Sequence, residues 1–330
     1  MLEFGSRRAQ GADGAILGAR AAYIGGCAGT ACTISDELFG VYAGGTMAHS
    51  WVQMFDSELD AFRAYCQTYP TNATLLVDTY NSLQSGVPNA IRTAREVLEP
   101  MGRRLRGIRI DSGDLTYLSI KARKMLDEAG LTDCSIVASN SLDEFTIESI
   151  LKEGAKIDSF GVGERLITAK SDPVFEGVYK MSAVEENGVF VPRIKVSASA
   201  AKITNPGWKK VWRVYRPDGK AVADLITAHD ETPDFSEEYC CVDSRRPWKT
   251  PVFKYCQAKE MQVPVLRQGR RVSPKPSLSE IQAFVKRQLD HEIWTEEQRF
   301  TNPHEHYLDM SLGYYAMKMK LLKEVNPNRD

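Results

Sequence analysis

The sequence predicts an α/β barrel or partial barrel over residues 1–176, followed by a β-rich second domain with C-terminal helices over 177–330. Two observations carry this. Between residues 72 and 165, short apolar β-type runs alternate with amphipathic helical stretches, which is the signature of successive βαβ units and a parallel sheet. After about residue 176 the helical spacing gives way to short β-type runs separated by turn signals.

The first domain is built from four strands joined by three helices. Leu75-Leu76-Val77 forms a strand that ends in Asp78-Thr79-Tyr80. Ile91, Ala94, Arg95 and Leu98 recur at helical spacing over 87–98, and Pro100 and Gly102 close that helix. Gly107-Ile108-Arg109-Ile110 is the second strand. The helix after it places Leu115, Leu118, Ala122, Met125 and Leu126 on one face and stops at Gly130. Residues 135–138 make the third strand, and Ser141-Leu142-Asp143-Glu144 has the form of a capping box opening the next helix. Residues 157–162 are the fourth strand. Ligands of such folds sit at the carboxyl ends of the strands. Here those ends carry Asp78, Arg109, Asp111, Ser139, Asn140, Gly161, Gly163 and Glu164, a polar, anion-competent ring.

In the second domain, residues 178–184, 190–196, 211–215 and 222–226 read as strands of an antiparallel segment. Asn187-Gly188, Asn205-Pro206-Gly207 and Pro217-Asp218-Gly219 supply the turns. Residues 230–251 read as a polar loop, with another short strand near 263–266. Ile281, Phe284, Val285 and Leu289 mark one amphipathic helix, and residues 312–322 another whose basic face is solvated.

Composition narrows the function classes. The chain has 330 residues, 42 Lys plus Arg against 43 Asp plus Glu, and a net charge of −1, so no bulk electrostatic attraction to nucleic acid is expected. No apolar run reaches the ~18 residues of a membrane span, and the first residues lack an apolar stretch of signal-peptide length. The expectation is a cytoplasmic protein with neither nucleic-acid nor membrane partners. Seven cysteines, an odd number without a C-x-x-C pair, point to reduced thiols and away from a disulfide framework or a zinc site.

Several stretches carry chemistry. Gly44-Gly45-Thr46-Met47-Ala48-His49-Ser50 combines backbone access for a ligand, a hydroxyl and an imidazole able to accept a proton or attack a phosphoryl group. The alternative for His49 is a capping or core histidine. Phe4-Gly5-Ser6-Arg7-Arg8 places two guanidiniums beside a flexible turn, suited to a diphosphate or a carboxylate, although paired surface arginines are usually just solvated. In Arg109-Ile110-Asp111-Ser112-Gly113-Asp114, Arg109 and Asp111 share one strand face. One can hold an anion while the other meets a ribose hydroxyl or Mg²⁺. Asp114 reads instead as a helix-start charge. Gly161-Val162-Gly163 resembles a phosphate-cradling turn, but no Walker loop and no full G-x-G-x-x-G fingerprint is present. Asn302-Pro303-His304-Glu305-His306 reads as a structured turn before it reads as a metal site.

Taken in order, these stretches resemble the nicotinate phosphoribosyltransferase family. The set is Phe4 to Arg8, Gly45 to Ser50, Leu76 to Tyr80, Arg109 to Asp114, Ser139-Asn140, Gly161 to Arg165, Ile203 to Gly207 and Thr301 to Glu305, and it covers almost the whole chain. The resemblance implies an irregular α/β barrel of the type II phosphoribosyltransferase kind with an incomplete second α+β domain. It also implies formation of nicotinate mononucleotide and diphosphate from nicotinate and 5-phosphoribosyl 1-diphosphate, coupled to ATP hydrolysis, in NAD salvage.

By matching position, His49 is the transiently phosphorylated histidine, and Arg7 contacts the diphosphate or the pyridine carboxylate. Thr46 and Arg109 contact substrate. Asp78 falls among the substrate-binding positions, and Asp111 is catalytic and near Mg²⁺. Ser139, Asn140, Gly161 and Gly163 lie around the ribose 5-phosphate, with Glu164 next on that loop. The resemblance further implies a homodimer. It also implies an N-terminal region, carrying a tyrosine that stacks on the pyridine ring, which this sequence lacks and which a separately encoded segment could supply. Without that partner, apolar positions such as Val178, Val189, Val191 and Val214 are expected to be partly uncovered. The alternative is a non-catalytic, truncated remnant of the family. Nicotinamide-using relatives place an aspartate after the Gly-Thr matching Gly29-Thr30. Ala31 stands here, which favours the acid as substrate.

Overall fold

A computed structural model describes residues 1–199 and 202–325 of the chain. These form two compact units, the first comprising Met1–Phe175 with Ser277–Val285 and the second Glu176–Pro276 with the described residues from Lys286 on.

The core of the first unit is a parallel sheet of β1 (Leu2–Glu3), β2 (Thr74–Leu76), β3 (Gly107–Ile110), β4 (Ser135–Ser139) and β5 (Ser159–Val162). The spatial order is β1-β5-β4-β3-β2. Single parallel bridges from Glu3 to Thr30 and from Thr30 to Ala43 carry the sheet on past β1, so the barrel is partial. Helices α1 (Ala12–Ile24), α2 (Thr33–Phe39), α3 (His49–Gln53), α4 (Glu58–Thr68), α5 (Val87–Thr93), α6 (Leu115–Glu128), α7 (Glu144–Lys152) and α8 (Glu164–Ile167) fill the connections. Leu75, Leu76, Ile108, Ile110, Ile136 and Ala138 of the strands are buried with Phe62, Leu98, Leu126 and Ile150 of the helical layer. The expected helix over 87–98 lies within a longer helical run from Ser82, whose wide first turn the Asn81 side chain caps at Gln84 N. That turn passes so close to β2 that a Cβ on Gly86 would lie 1.8 Å from the Val77 carbonyl oxygen. Only glycine fits.

One helix start differs from expectation. The α7 cap is Asp143, not Ser141: the Asp143 carboxylate accepts both the amide and the hydroxyl of Thr146 and also pairs with Arg165. A carboxylate with three donors outcompetes a serine two residues upstream. Asp143→Ala should therefore cost about 1–2 kcal/mol of stability and Ser141→Ala under ~0.5 kcal/mol, read from urea unfolding midpoints. Equal losses would restore Ser141 as the cap.

In the second unit, β6 (Ala183–Glu186) and β7 (Val189–Pro192) form a hairpin. Asn187 and Gly188 at its tip both have positive φ, as a type I′ turn demands. The main sheet, ordered β11-β10-β15-β9-β8-β12, uses β8 (Lys209–Tyr215), β9 (Ala221–Ala228), β10 (Tyr239–Asp243), β11 (Val252–Phe253), β12 (Gln257–Glu260) and β15 (Leu308–Ser311). A small hairpin of β13 (Leu266–Arg267) and β14 (Arg270–Arg271) lies apart from it, and the unit is completed by α10 (Leu312–Val325) and by the second half of α9 (Leu278–His291), whose first half belongs to the first unit.

Two expectations are corrected. The segment 230–251 contains a strand, β10. The sheet is not purely antiparallel either, because β15 joins β9 in parallel. Of the four valines expected to be uncovered, Val178 and Val189 are exposed and Val191 is half-buried. Val214 is fully buried with Trp212, Leu225, Phe235 and Cys241.

All seven cysteines are free thiols, and burial pushes those of Cys66, Cys134 and Cys241 up to about 12. His306 sits between Asp224 and Glu297, and His304 stacks on Trp294. Among the described residues no cluster suited to a metal occurs.

Candidate functional site

The carboxyl ends of β2, β3 and β4 converge on one guanidinium. Parallel strands in register bring Leu76 beside Arg109 and Arg109 beside Val137, so the residues just beyond them meet above the sheet. Arg109, on β3, donates from Nε to Ser139 Oγ (2.7 Å), from Nη1 to Thr46 Oγ1 (2.9 Å) and from Nη2 to Asp111 Oδ1 (2.9 Å). Three of its five N–H donors are thereby fixed, which leaves two for a ligand. Ser139 donates to the same Asp111 oxygen. Burial alone would raise the Asp111 carboxyl, but the Ser139 hydrogen bond and the Arg109 guanidinium outweigh it and hold it below the usual carboxylate range. Asp111 is thus ionised at neutral pH, with Oδ2 free of Arg109.

Asp78, at the end of β2, anchors the turn after β3. Its Oδ2 accepts the Asp111 amide (2.9 Å) and the Ser112 hydroxyl (2.6 Å), while its buried Oδ1 has no hydrogen-bond partner among the described residues. His49, the first residue of α3, faces this pair. Its Nδ1 lies 3.1 Å from Thr79 Oγ1, and its Nε2 lies 3.6 Å from Asp111 Oδ2 and 3.9 Å from Asp78 Oδ1. The imidazole is held by its neighbours on one edge, and 39% of the side chain remains exposed.

Of these groups, Thr46, His49, Arg109 and Asp111 line a cleft of about 380 Å³ together with Phe4, Ser6, Arg7, Ala31 and Met47, while Asp78, Thr79 and Ser139 support them without lining it. The N-terminal turn that brings Phe4 and Arg7 here is fixed by buried Glu3. Its carboxylate accepts the Gly5 amide and, at 2.5 Å, the Thr30 hydroxyl. Phe4 is held by two neighbours: the Arg109 guanidinium lies 5.8 Å from its ring centroid, and a Cβ on Gly161 would strike the ring at 2.4 Å. The Ser6 hydroxyl is buried without a hydrogen-bond partner among the described residues.

Of the residues singled out in the sequence, His49, Arg109, Asp111, Thr46, Asp78 and Ser139 meet in this one network, and Arg7 borders the same cleft. Asn140 follows Ser139 at φ +155, with its side-chain oxygen on the Ser141 amide. Gly161 and Gly163 back Phe4 and do not line the cleft. Glu164 is exposed and lies 4.0 Å from Arg8. Asp114 caps α6 at the Tyr117 amide, the helix-start role expected of it. Glu3, the glutamate beneath the turn, carried no sequence signal of its own, and Thr79 was placed at the strand end without being tied to the imidazole it fixes. The array can bind an anion at Arg7 and Arg109, present a nucleophilic nitrogen between two carboxylates, and seat a flat ring against Phe4.

Comparison with known proteins agrees. Residues 208–318 match the family described as nicotinate phosphoribosyltransferase C-terminal domain. Over 98% of the chain it is 41% identical to nicotinate phosphoribosyltransferase of Bacillus subtilis, spanning 66% of that protein. It is 33% identical to the Dictyostelium discoideum protein of the same name over 92% of the chain, spanning 59% of that protein. The crystal structure of human nicotinic acid phosphoribosyltransferase superposes with a TM-score of 0.76 at 25% identity, covering 98% of this chain and 70% of that one. The chain therefore spans 66% and 59% of the length of these two curated relatives.

Proposed function

The chain belongs to the nicotinate phosphoribosyltransferase family, and on that premise we propose that it forms nicotinate mononucleotide and diphosphate from nicotinate and 5-phosphoribosyl 1-diphosphate in NAD salvage in the cytoplasm. The observation that carries this reading is the placement of the His49 imidazole between Thr79 and two carboxylates, at the mouth of a cleft governed by Arg109. A network kept this complete supports catalysis over a remnant that retains only the motifs.

Breaking the anomeric C–O bond puts negative charge on the departing diphosphate and positive charge on the ribosyl carbon. The free donors of Arg109, with Arg7, stabilise the first. The ionised Asp111 carboxylate stabilises the second. The nicotinate ring nitrogen then attacks the anomeric carbon, with the ring seated against Phe4. Asp111 Oδ2 fits a Mg²⁺ site of the usual kind, one or two carboxylates completed by substrate phosphates. When bound, the ion would supply charge neutralisation for the diphosphate.

ATP enters as a second substrate. With Nδ1–H directed at Thr79 Oγ1, the lone pair on Nε2 of His49 is free to attack the terminal phosphorus, forming an N–P bond as ADP departs. The phosphoryl group adds negative charge beside Asp78 and Asp111. It thereby changes the affinity of the cleft for anionic substrates, coupling hydrolysis to transfer. The reading extends to a homodimer and to an N-terminal segment, in cis or separately encoded, that stacks a tyrosine on the ring.

Specificity for the acid is testable at Ala31, which lines the cleft. Competition assays on the chain joined to the N-terminal region of its longer relatives should show nicotinate preferred over nicotinamide. Ala31→Asp, which sets a carboxylate against the nicotinate anion, should lower kcat/KM for nicotinate by about tenfold or more. Equal use of both bases by the unchanged chain would refute the assignment.

A further inference from the structure

We propose that the second unit holds a separate binding site for a small, flat organic cation, in a cavity of about 510 Å³ lined by Trp294, Tyr307 and Phe253 together with Asp309. No residue of the His49 cleft takes part in it.

Asp243 on β10 and Asp309 on β15 are direct cross-strand partners, so their side chains share one sheet face. Like charges in that position oppose folding, and a local conflict of this kind points to a functional site. The two carboxylates have different surroundings. Asp243 is satisfied: it accepts the amides of Arg245 and Arg246 and, at 2.9 Å, the Arg246 guanidinium. Arg246 is in turn shared with Glu305. Asp309 is only 3% exposed, yet its side chain has no hydrogen-bond partner among the described residues. Burial and the neighbouring Asp243 push its carboxyl up to about 6, so it is still largely ionised at neutral pH.

A buried carboxylate that opens into a cavity and lacks a donor calls for one from a ligand. Two acidic side chains, one of them already saturated, do not make a metal site, and no metal-binding cluster occurs among the described residues. The walls select the rest of the ligand. Three aromatic rings favour a planar apolar body and a delocalised cation over their faces. The volume lies within the range of small-molecule sites. An amidinium or guanidinium attached to a ring meets these conditions, with its N–H groups forking onto Asp309, while the like charge of Lys249 on the same wall is exposed and screened by solvent.

Benzamidine and its uncharged isostere benzamide are suitable probes, titrated calorimetrically into the full chain. Benzamidine should bind at one site about tenfold or more tightly than benzamide, the worth of one charged hydrogen bond. Asp309→Asn should reduce benzamidine binding by a similar factor. Thr250→Trp, at an exposed position on the cavity wall, should abolish it by filling the space without touching the charge. The Trp variant decides the matter if Asp309→Asn fails to fold. Equal binding of the two probes, no binding of benzamidine up to millimolar concentration, or binding unchanged in Thr250→Trp would each overturn the site.

Discussion

Arg109→Ala is expected to lower phosphoribosyl transfer by about 10²–10³-fold, the usual loss when one preorganised donor to transition-state charge is removed. The guanidinium does two things at once. It holds Ser139, Thr46 and Asp111 in place through three hydrogen bonds, and it lines the cleft with two N–H donors unengaged by them. Losing it leaves the Asp111 carboxylate partly buried beside Asp78 with no cation at hydrogen-bond distance, so kcat falls and the ribosyl-stabilising geometry loosens together. Arg109→Lys separates the two roles. A point charge survives but the fork that meets three partners does not, so substrate binding recovers more than kcat. Steady-state kinetics on the chain joined to the N-terminal region of its relatives would show this. Loss in KM alone, with kcat intact, would mean that Arg109 only binds.

His49→Ala is expected to abolish ATP hydrolysis and the acid-labile phosphoprotein, yet to leave a weak transfer that no longer responds to ATP. The distinction follows from geometry. His49 touches the network only at its edge, through Thr79 and the two carboxylates, while Arg109, Asp111 and Ser139 are held without it. The cleft that positions the other substrates therefore persists. His49→Gln should behave like the alanine variant, because an amide keeps polarity but cannot carry the phosphoryl group. ATP-stimulated transfer at the original rate in either variant would remove His49 from the mechanism.

Much of the first unit was legible because its signals are local. Arg109 and Asp111 were placed on one strand face by alternation alone, and the order of βαβ units put Asp78, Asp111 and Ser139 at neighbouring strand ends. Strand pairing in the second unit was not, since β10 and β15 pair across more than sixty residues of chain and neither has a long apolar run. Asp309 sits inside one of them, so its conflict with Asp243 could not be seen before the register was known. The helix cap moved from Ser141 to Asp143 because two capping patterns overlap there and only tertiary contact with Arg165 separates them. Phe4 was noticed merely as part of a glycine-containing turn. Its place as a cleft wall depends on Gly161 and Arg109 arriving from distant strands. The carboxylate of Glu3 and the hydroxyl of Thr79 act through residues that sequence spacing does not connect to them.

The central claim is that His49 couples ATP hydrolysis to nicotinate mononucleotide formation. The most direct measurement incubates the protein, joined to the N-terminal region of its relatives, with γ-labelled ATP, Mg²⁺, nicotinate and 5-phosphoribosyl 1-diphosphate. It follows nicotinate mononucleotide, released phosphate and the labelled peptide together. The account predicts label on the peptide containing His49 before any product appears, and product formed in step with ATP consumed. Product formed at full rate without ATP, with no label on His49, would contradict it.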